Sequence, residues 1–297
     1  SRRDPSIIFR QKREVGKELL TVKNISKSYG DKVVLKDISF TLEKGDKIAL
    51  IGPNGVGKTT LCEILVGNLQ ADSGEVLWGA TIQNSYFPQN TTDIINGDMT
   101  LYDWLRGFDR DADIGEIRNC LGRMLFNGQE QEKKVDSCSG GEKHRMMLSK
   151  IMLEQGNFLL LDEPTNHLDV YMVEFLEELL LKNNFTLLFI SHDRYFIDNI
   201  ATNVVEVDGG ELRKFNGGYS SYLEQKAQIL SNLQKEHENL LRLVKQEAHW
   251  MQHGVTARRK RNERRKAEYF DLKQKAKSNP AYIKKMSIEL QREQKSF

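Results

Sequence analysis

Cysteine is scarce in this chain. Its three residues (Cys62, Cys120 and Cys138, among 297) are an odd, widely scattered set with no CxxC pair. That excludes a disulfide framework and suits a reducing cytosol. Long apolar runs are missing too. No stretch approaches eighteen consecutive apolar residues, so the chain carries no membrane-spanning helix of its own. The opening segment SRRDPSIIFRQKREVGKELL holds nine charged side chains in twenty, which excludes a secretory signal. There is no internal repeat and no low-complexity tract. The hydrophobic content is 39%, enough for a buried core, so wholesale disorder is excluded. The length allows one large domain or two modest ones. The first residue is Ser rather than Met, as expected of a processed or excised piece of a longer chain.

The net charge of +2 hides an asymmetry. Residues 219–297 hold 18 Lys and Arg against 9 Asp and Glu, a net of +9, which leaves −7 on residues 1–218. An acidic body with a basic tail predicts a polyanionic partner; the alternative is a solvated helix rich in Lys and Arg.

Pattern along the chain predicts an α/β fold. LLTVKNISKSYG (19–30) and VVLKDISFTLEKG (33–45) alternate in part and end at glycines, as strands do. KIALIG (47–52) is a short apolar run entering a glycine-rich loop, so a buried strand is expected, then a helix from Lys58 to about Val66. GEVLWG and TIQNSYF, within 74–87, read as two more strands. From Met99 to Gln155 the period shifts to 3.6, with LYDWLRGF, IGEIRNCLGRMLF and RMMLSKIMLEQ as helices. FLLLDEP (158–164) and TLLFISH (186–192) are further buried strands, and such runs alternating with helices predict a mainly parallel sheet. VVEVDGGELRKF (204–215) predicts a hairpin turning at Gly209 and Gly210. Beyond Tyr219, Leu230, Leu233, Leu240 and Val244 fit a heptad seam interrupted by His237. Gly254 interrupts the helix and Asn279-Pro280 is expected to break the second one, giving a helical hairpin.

Gly52-Pro53-Asn54-Gly55-Val56-Gly57-Lys58-Thr59 matches GxxxxGK[ST], between a strand and a helix that continues through Thr60. Glycines let backbone N–H groups turn inward around phosphate oxygens, and the helix N-terminus adds positive character there. Lys58 then reaches the β- and γ-phosphates and Thr59 ligates Mg²⁺. Asp162 closes an apolar strand, which suits a carboxylate holding Mg²⁺, directly or through water. Glu163 points to the other side of the chain and is placed to polarise an attacking water. His192 ends the next strand and should share that sheet edge, where it could contact a γ-phosphate; a lone strand-end His is otherwise a surface residue.

Ser139-Gly140-Gly141-Glu142 opens a helical run and can serve as an anion-binding helix N-terminus. With the P-loop, Tyr29, Gln89 in YFPQN, LLLDEP, NHLD and His192, in that order, it resembles the signature of ATP-binding-cassette (ABC) ATPases, over about residues 19–218. The resemblance implies a cassette with an antiparallel β subdomain and an inserted helical subdomain (91–157), flanked by an arm (1–18) and a basic helical linker (219–297). It implies that Tyr29 stacks on adenine, that Gln89 touches Mg²⁺, and that Ser139 and Gly141, within the signature, contact the γ-phosphate bound by a second cassette. Asp169 would couple the two sites. Two such cassettes face head to tail around ATP, so one alone should hydrolyse it weakly. Cys138 stands where the family usually has Leu.

DEPTNHLD, SHDRYFIDNIATNVVEVDGGEL and FNGGYSSYLEQKA closely resemble the soluble ABC-F branch, and WMQHGVTARRKRNERR resembles the linker of its Uup-type subgroup. ABC-F proteins are similar in acting in the cytoplasm on ribosomes, with the linker reaching toward tRNA. Arg258, Arg259, Lys260, Arg261, Arg264, Arg265 and Lys266 would ring a helix with cations suited to rRNA phosphates. Trp250, Tyr269 and Phe270 could stack on bases, though packing within a hairpin is the simpler expectation. His249 and His253 could share a metal, but no third ligand stands near, and solvated imidazoles are the commoner case. Two alternatives stay open: an energising subunit of a membrane transporter, and a DNA-associated ABC ATPase.

Overall fold

The computed structural model describes residues 18–182, 185–253 and 259–295, without the side chains of 18, 252–262, 278–279 and those from 292 onward. The chain divides after Tyr219 into two compact units.

In the first unit, β1 (Glu18–Tyr29), β2 (Lys32–Glu43) and β4 (Ser73–Trp78) form an antiparallel sheet ordered β2-β1-β4. A second sheet is ordered β5-β6-β7-β3-β8-β9, from β3 (Lys47–Ile51), β5 (Asn84–Phe87), β6 (Phe158–Asp162), β7 (Thr186–Ile190), β8 (Asn203–Asp208) and β9 (Glu211–Asn216). All its pairings are parallel except β8 with β9. Every residue of β6 and β7 is buried, as apolar runs in a strand covered on both faces must be. The β8–β9 turn pairs Asp208 with Glu211, and both glycines between them have positive φ (59° and 84°), as a two-residue primed turn requires.

One core joins the two sheets through α1 (Lys58–Leu65). Leu35 and Ile38 of β2, Leu61 and Leu65 of α1, Leu160 of β6 and Val207 of β8 all belong to it. The expected helical stretches appear as α2 (Leu101–Arg106), α3 (Ile114–Arg123) and α4 (Gly140–Glu154). Two helices follow that were not expected, α5 (Val170–Lys182) and α6 (Arg194–Ile200). Because β3, β5, β6 and β7 are parallel, the loops leaving their carboxyl ends gather along one sheet edge, where ligands of open α/β sheets bind.

The second unit is built from α7 (Tyr219–His253) and α8 (Arg259–Lys295). They run antiparallel: Glu247 meets Arg265 near one end and Lys226 meets Glu289 near the other. The expected break at Asn279-Pro280 does not occur, and α8 continues through Pro280. Its covered positions recur at Tyr269, Ala276, Ile283 and Leu290, a seven-residue spacing that Pro280 leaves in phase. Pro280 itself is exposed, so its ring stays outside the seam; it costs α8 one backbone hydrogen bond and crowds the Ala276 carbonyl one turn earlier.

Candidate functional site

A cleft of about 580 Å³ opens along that sheet edge. It is lined by Tyr29 at the end of β1, by Asn54, Gly55, Gly57, Lys58, Thr59 and Thr60 of the loop and helix after β3, and by Gln89 after β5. Asp162 at the end of β6, Glu163 just after it and His192 after β7 complete it. Five segments distant in sequence thus converge.

Two glycines of the loop have physical reasons. At Gly52 (φ 145°) a Cβ would lie 2.5 Å from the Val207 carbonyl oxygen, and at Gly57 (φ 107°) it would lie 2.5 Å from Val34 Cγ1. Val56 packs against the core instead of lining the cleft. Gly52 and Pro53 contribute carbonyls: Lys58 Nζ donates to them at 2.7 and 3.1 Å. Burial lowers the Lys58 pKa, while Glu163 and Asp162 oppose the drop.

Asp162 is 1% exposed, and neither carboxylate oxygen makes a well-formed hydrogen bond. Desolvation raises its pKa to about 6, with the nearby Thr59 hydroxyl and Lys58 pulling the other way. A buried carboxylate whose nearest partner is a hydroxyl in poor hydrogen-bond geometry is a donor set for a hard divalent cation. Glu163 is also buried and has a left-handed φ of 53°. Its Oε2 accepts from the His192 backbone N–H at 3.3 Å, and its Oε1 lies 3.2 Å from His192 Nε2. His192 therefore orients Glu163 from one side, while its ring remains 62% exposed toward the cleft mouth.

Ser139, Gly140, Gly141, Glu142 and Asp169 do not line this cleft. They form a second group. Ser139 Oγ accepts from Glu142 N–H at 3.3 Å, and Glu142 Oε2 accepts from Ser139 N–H at 2.7 Å, closing a capping box on α4. Lys133 neutralises Glu142 with two contacts of 2.9 Å. A Cβ on Gly141 would stand 3.2 Å from the His167 carbonyl oxygen, so the start of α4 abuts the loop that carries Asp169. Asp169 Oδ1 accepts from Met172 N–H at 2.8 Å and caps α5. Cys138 is half-buried, and burial lifts its thiol above the usual range.

In the tail, Arg258 lies outside the described residues, as do the side chains of Arg259, Lys260, Arg261 and His253. Arg264 and Arg265 are not free cations. Arg264 meets Glu268 at 2.9 Å. Arg265 forks onto Glu247 at 2.7 and 2.9 Å and stacks 4.0 Å from the Trp250 ring centre. Lys266 is half-buried. Trp250 and Tyr269 are partly covered, as hairpin packing predicts, but Phe270 is 59% exposed, which corrects that expectation for Phe270. Sequence reasoning missed Lys32, Val34 and Ile190, which also line the nucleotide-sized cleft. A signal for Lys32 existed: it sits three residues beyond Tyr29, across a two-residue turn.

A family profile described as ABC transporter matches residues 35–166, and a second of the same description matches 205–290. The ATP-binding protein Uup of Haemophilus influenzae is 41% identical over 71% of this chain and 33% of its own length. ABC transporter F family member 5 of Arabidopsis thaliana is 37% identical over 75% of this chain and 32% of its own. The energy-dependent translational throttle protein EttA of Escherichia coli is 38% identical over 73% and 40%. The chain spans less than half the length of these relatives. A bacterial Atm1-family ABC exporter solved with ATP bound shares the fold, with a TM-score of 0.61 at 21% identity over 72% of this chain and 41% of the exporter. Among the described residues no helix is long and apolar enough to cross a membrane.

Proposed function

The chain belongs to the ABC transporter family of ATP-binding domains and is similar to its F branch; from that premise we propose that it hydrolyses ATP to ADP and phosphate and acts in translation. The observation that carries this reading is the convergence of Tyr29, Lys58, Thr59, Gln89, Asp162, Glu163 and His192 on one cleft.

Tyr29 offers its half-exposed ring to the base. Backbone N–H groups of 54–59 and the Lys58 ammonium receive the phosphates. Thr59, Asp162 and Gln89 would hold Mg²⁺, which when bound neutralises charge on the transferring phosphoryl group. Glu163 takes a proton from the attacking water as the oxygen bonds the γ-phosphorus and the bridge to the β-phosphate breaks. His192 keeps that carboxylate aimed. Ser139 and Gly141 serve the site of a second cassette. ATP closes the pair and hydrolysis lets it open, so the nucleotide sets the state of a two-position switch.

The net +9 of residues 219–297 supports a polyanionic target, and the relative named for a translational throttle supports rRNA on the ribosome, in the cytoplasm. The test is cosedimentation of Glu163→Gln with ribosomes in ATP. Binding at low salt that disappears when Arg258, Arg259, Lys260, Arg261 and Lys266 are neutralised, with the paired Arg264 and Arg265 left in place, is expected. No association, or stable copurification with an integral membrane protein, would reject the translation role.

A further inference from the structure

A second cation stands in the cleft at a place the P-loop motif does not describe. Tyr29 and Lys32 face each other directly across the turn of the β1–β2 hairpin, so their side chains leave the same face. Both line the cleft. The hairpin is seated against the phosphate loop, since Val34 fills the space a Cβ on Gly57 would need. From it the Lys32 ammonium reaches the Gly55 carbonyl oxygen at 3.4 Å, a contact at the outer limit of a hydrogen bond. Lys27, on the same hairpin, is tied to Asp72 at 2.8 Å. Lys32 has no such carboxylate partner among the described residues, and it lines the cleft.

We infer that Lys32 binds the α-phosphate of the nucleotide, an assignment that rests on the ATP reading above. A base on Tyr29 and β- and γ-phosphates at Lys58 leave the ribose and α-phosphate to pass the edge where Lys32 stands. Its long bond to a neutral carbonyl is readily exchanged for a charged phosphate oxygen, the stronger acceptor. The lysine thereby joins the base platform to the phosphate loop, so the hairpin and the loop are held together by the ligand.

The α-phosphate is common to AMP, ADP and ATP, whereas the β-phosphate is absent from AMP, and this makes the assignment testable. The full chain, titrated calorimetrically with AMP, ADP and Mg–ATP at fixed salt, should lose roughly tenfold in affinity for all three nucleotides, by the same factor, in Lys32→Gln; a loss that spares AMP would put the ammonium on the β-phosphate and overturn the assignment. Lys32→Arg should restore most of it. Melting of Lys32→Gln without nucleotide should match wild type, because the side chain is exposed. Affinities within twofold of wild type would overturn the assignment, as would a loss confined to ATP, which would put the ammonium on the γ-phosphate. Lys58→Ala separates the two levels. If it abolishes binding while Lys32→Gln does nothing, only the role of Lys32 falls; if Lys58→Ala also binds ATP normally, the nucleotide reading itself falls.

Discussion

Asp162→Asn should make the nucleotide-free protein more stable while destroying its use of Mg–ATP. The Asp162 carboxyl, moved from 3.8 to about 6 by burial, is favoured in its protonated form by the fold. Its contribution to stability is therefore fully present below pH 3.8 and is lost as pH rises through about 6. At about 1.36 kcal/mol per pH unit, the rise from 3.8 to about 6 corresponds to roughly 3 kcal/mol of destabilisation carried at pH 8. Asparagine is neutral throughout and similar in shape. Its buried amide, if unpaired, returns about 1 kcal/mol of that, so a net gain of about 2 kcal/mol is expected at pH 8. For a domain of this size that is a rise in Tm of roughly 4–8 °C. The gain should shrink steadily between pH 7 and 4, where the wild-type carboxyl takes up its proton. Calorimetric melts of both proteins at pH 8, 6.5, 5 and 4, with and without Mg–ATP, measure all of this. Nucleotide should stabilise the wild type and leave Asp162→Asn almost unmoved. A variant that melts at or below wild type at pH 8, with a difference independent of pH, would refute the picture of a carboxylate kept desolvated for a cation.

Gly57→Ala forces a Cβ into the left-handed region and against Val34, so it should cost about 1–3 kcal/mol and lower ATP affinity at least tenfold, read by melting and titration. Ser139→Arg should leave the variant's own ATP affinity unchanged, since Ser139 is outside the cleft, yet stop turnover that depends on a second cassette; turnover that persists would reject the cross-cassette arrangement. Arg265→Ala should loosen the α7–α8 hairpin around Glu247 and Trp250, seen as faster amide exchange there, and Arg265→Lys should not rescue it because the fork and the stack need a guanidinium.

Legibility in the sequence followed the range of the physics. Buried strands leading into glycine loops, such as KIALIG, are fixed by neighbours in the chain, and β3, β6 and β7 stand where the apolar runs predict. The helices α5 and α6 went unseen although their caps are present. Asp169 accepts from Met172 N–H and Asp193 from Phe196 N–H, so each acid starts a helix. Reading Asp169 only for what it could do to a partner concealed what it does for its own chain. Arg265 reads as one cation of a basic run, because nothing local reveals a carboxylate eighteen residues away across a hairpin. Lys32 belongs to no motif, and its one signal was the two-residue turn that pairs it with Tyr29.

The start of α4 shows why a local partner and a distant ligand need not compete. Ser139 Oγ is engaged by a 3.3 Å cap bond, weak enough to be exchanged when a charged oxygen arrives at the same helix end. A carboxylate at that end ought to repel such an anion, and Glu142 is such a carboxylate. Yet Glu142 is held back on Ser139 N–H and neutralised by Lys133 through both oxygens. In the proposed sandwich, the capping box therefore does two things with one acid. It fixes the helix terminus in the absence of ligand, and through Lys133 it removes the repulsion that would otherwise keep the opposing γ-phosphate away. The electrostatic cost of having an acid in the signature is thus offset by a lysine nine residues upstream, in a segment that no phosphate-binding motif includes.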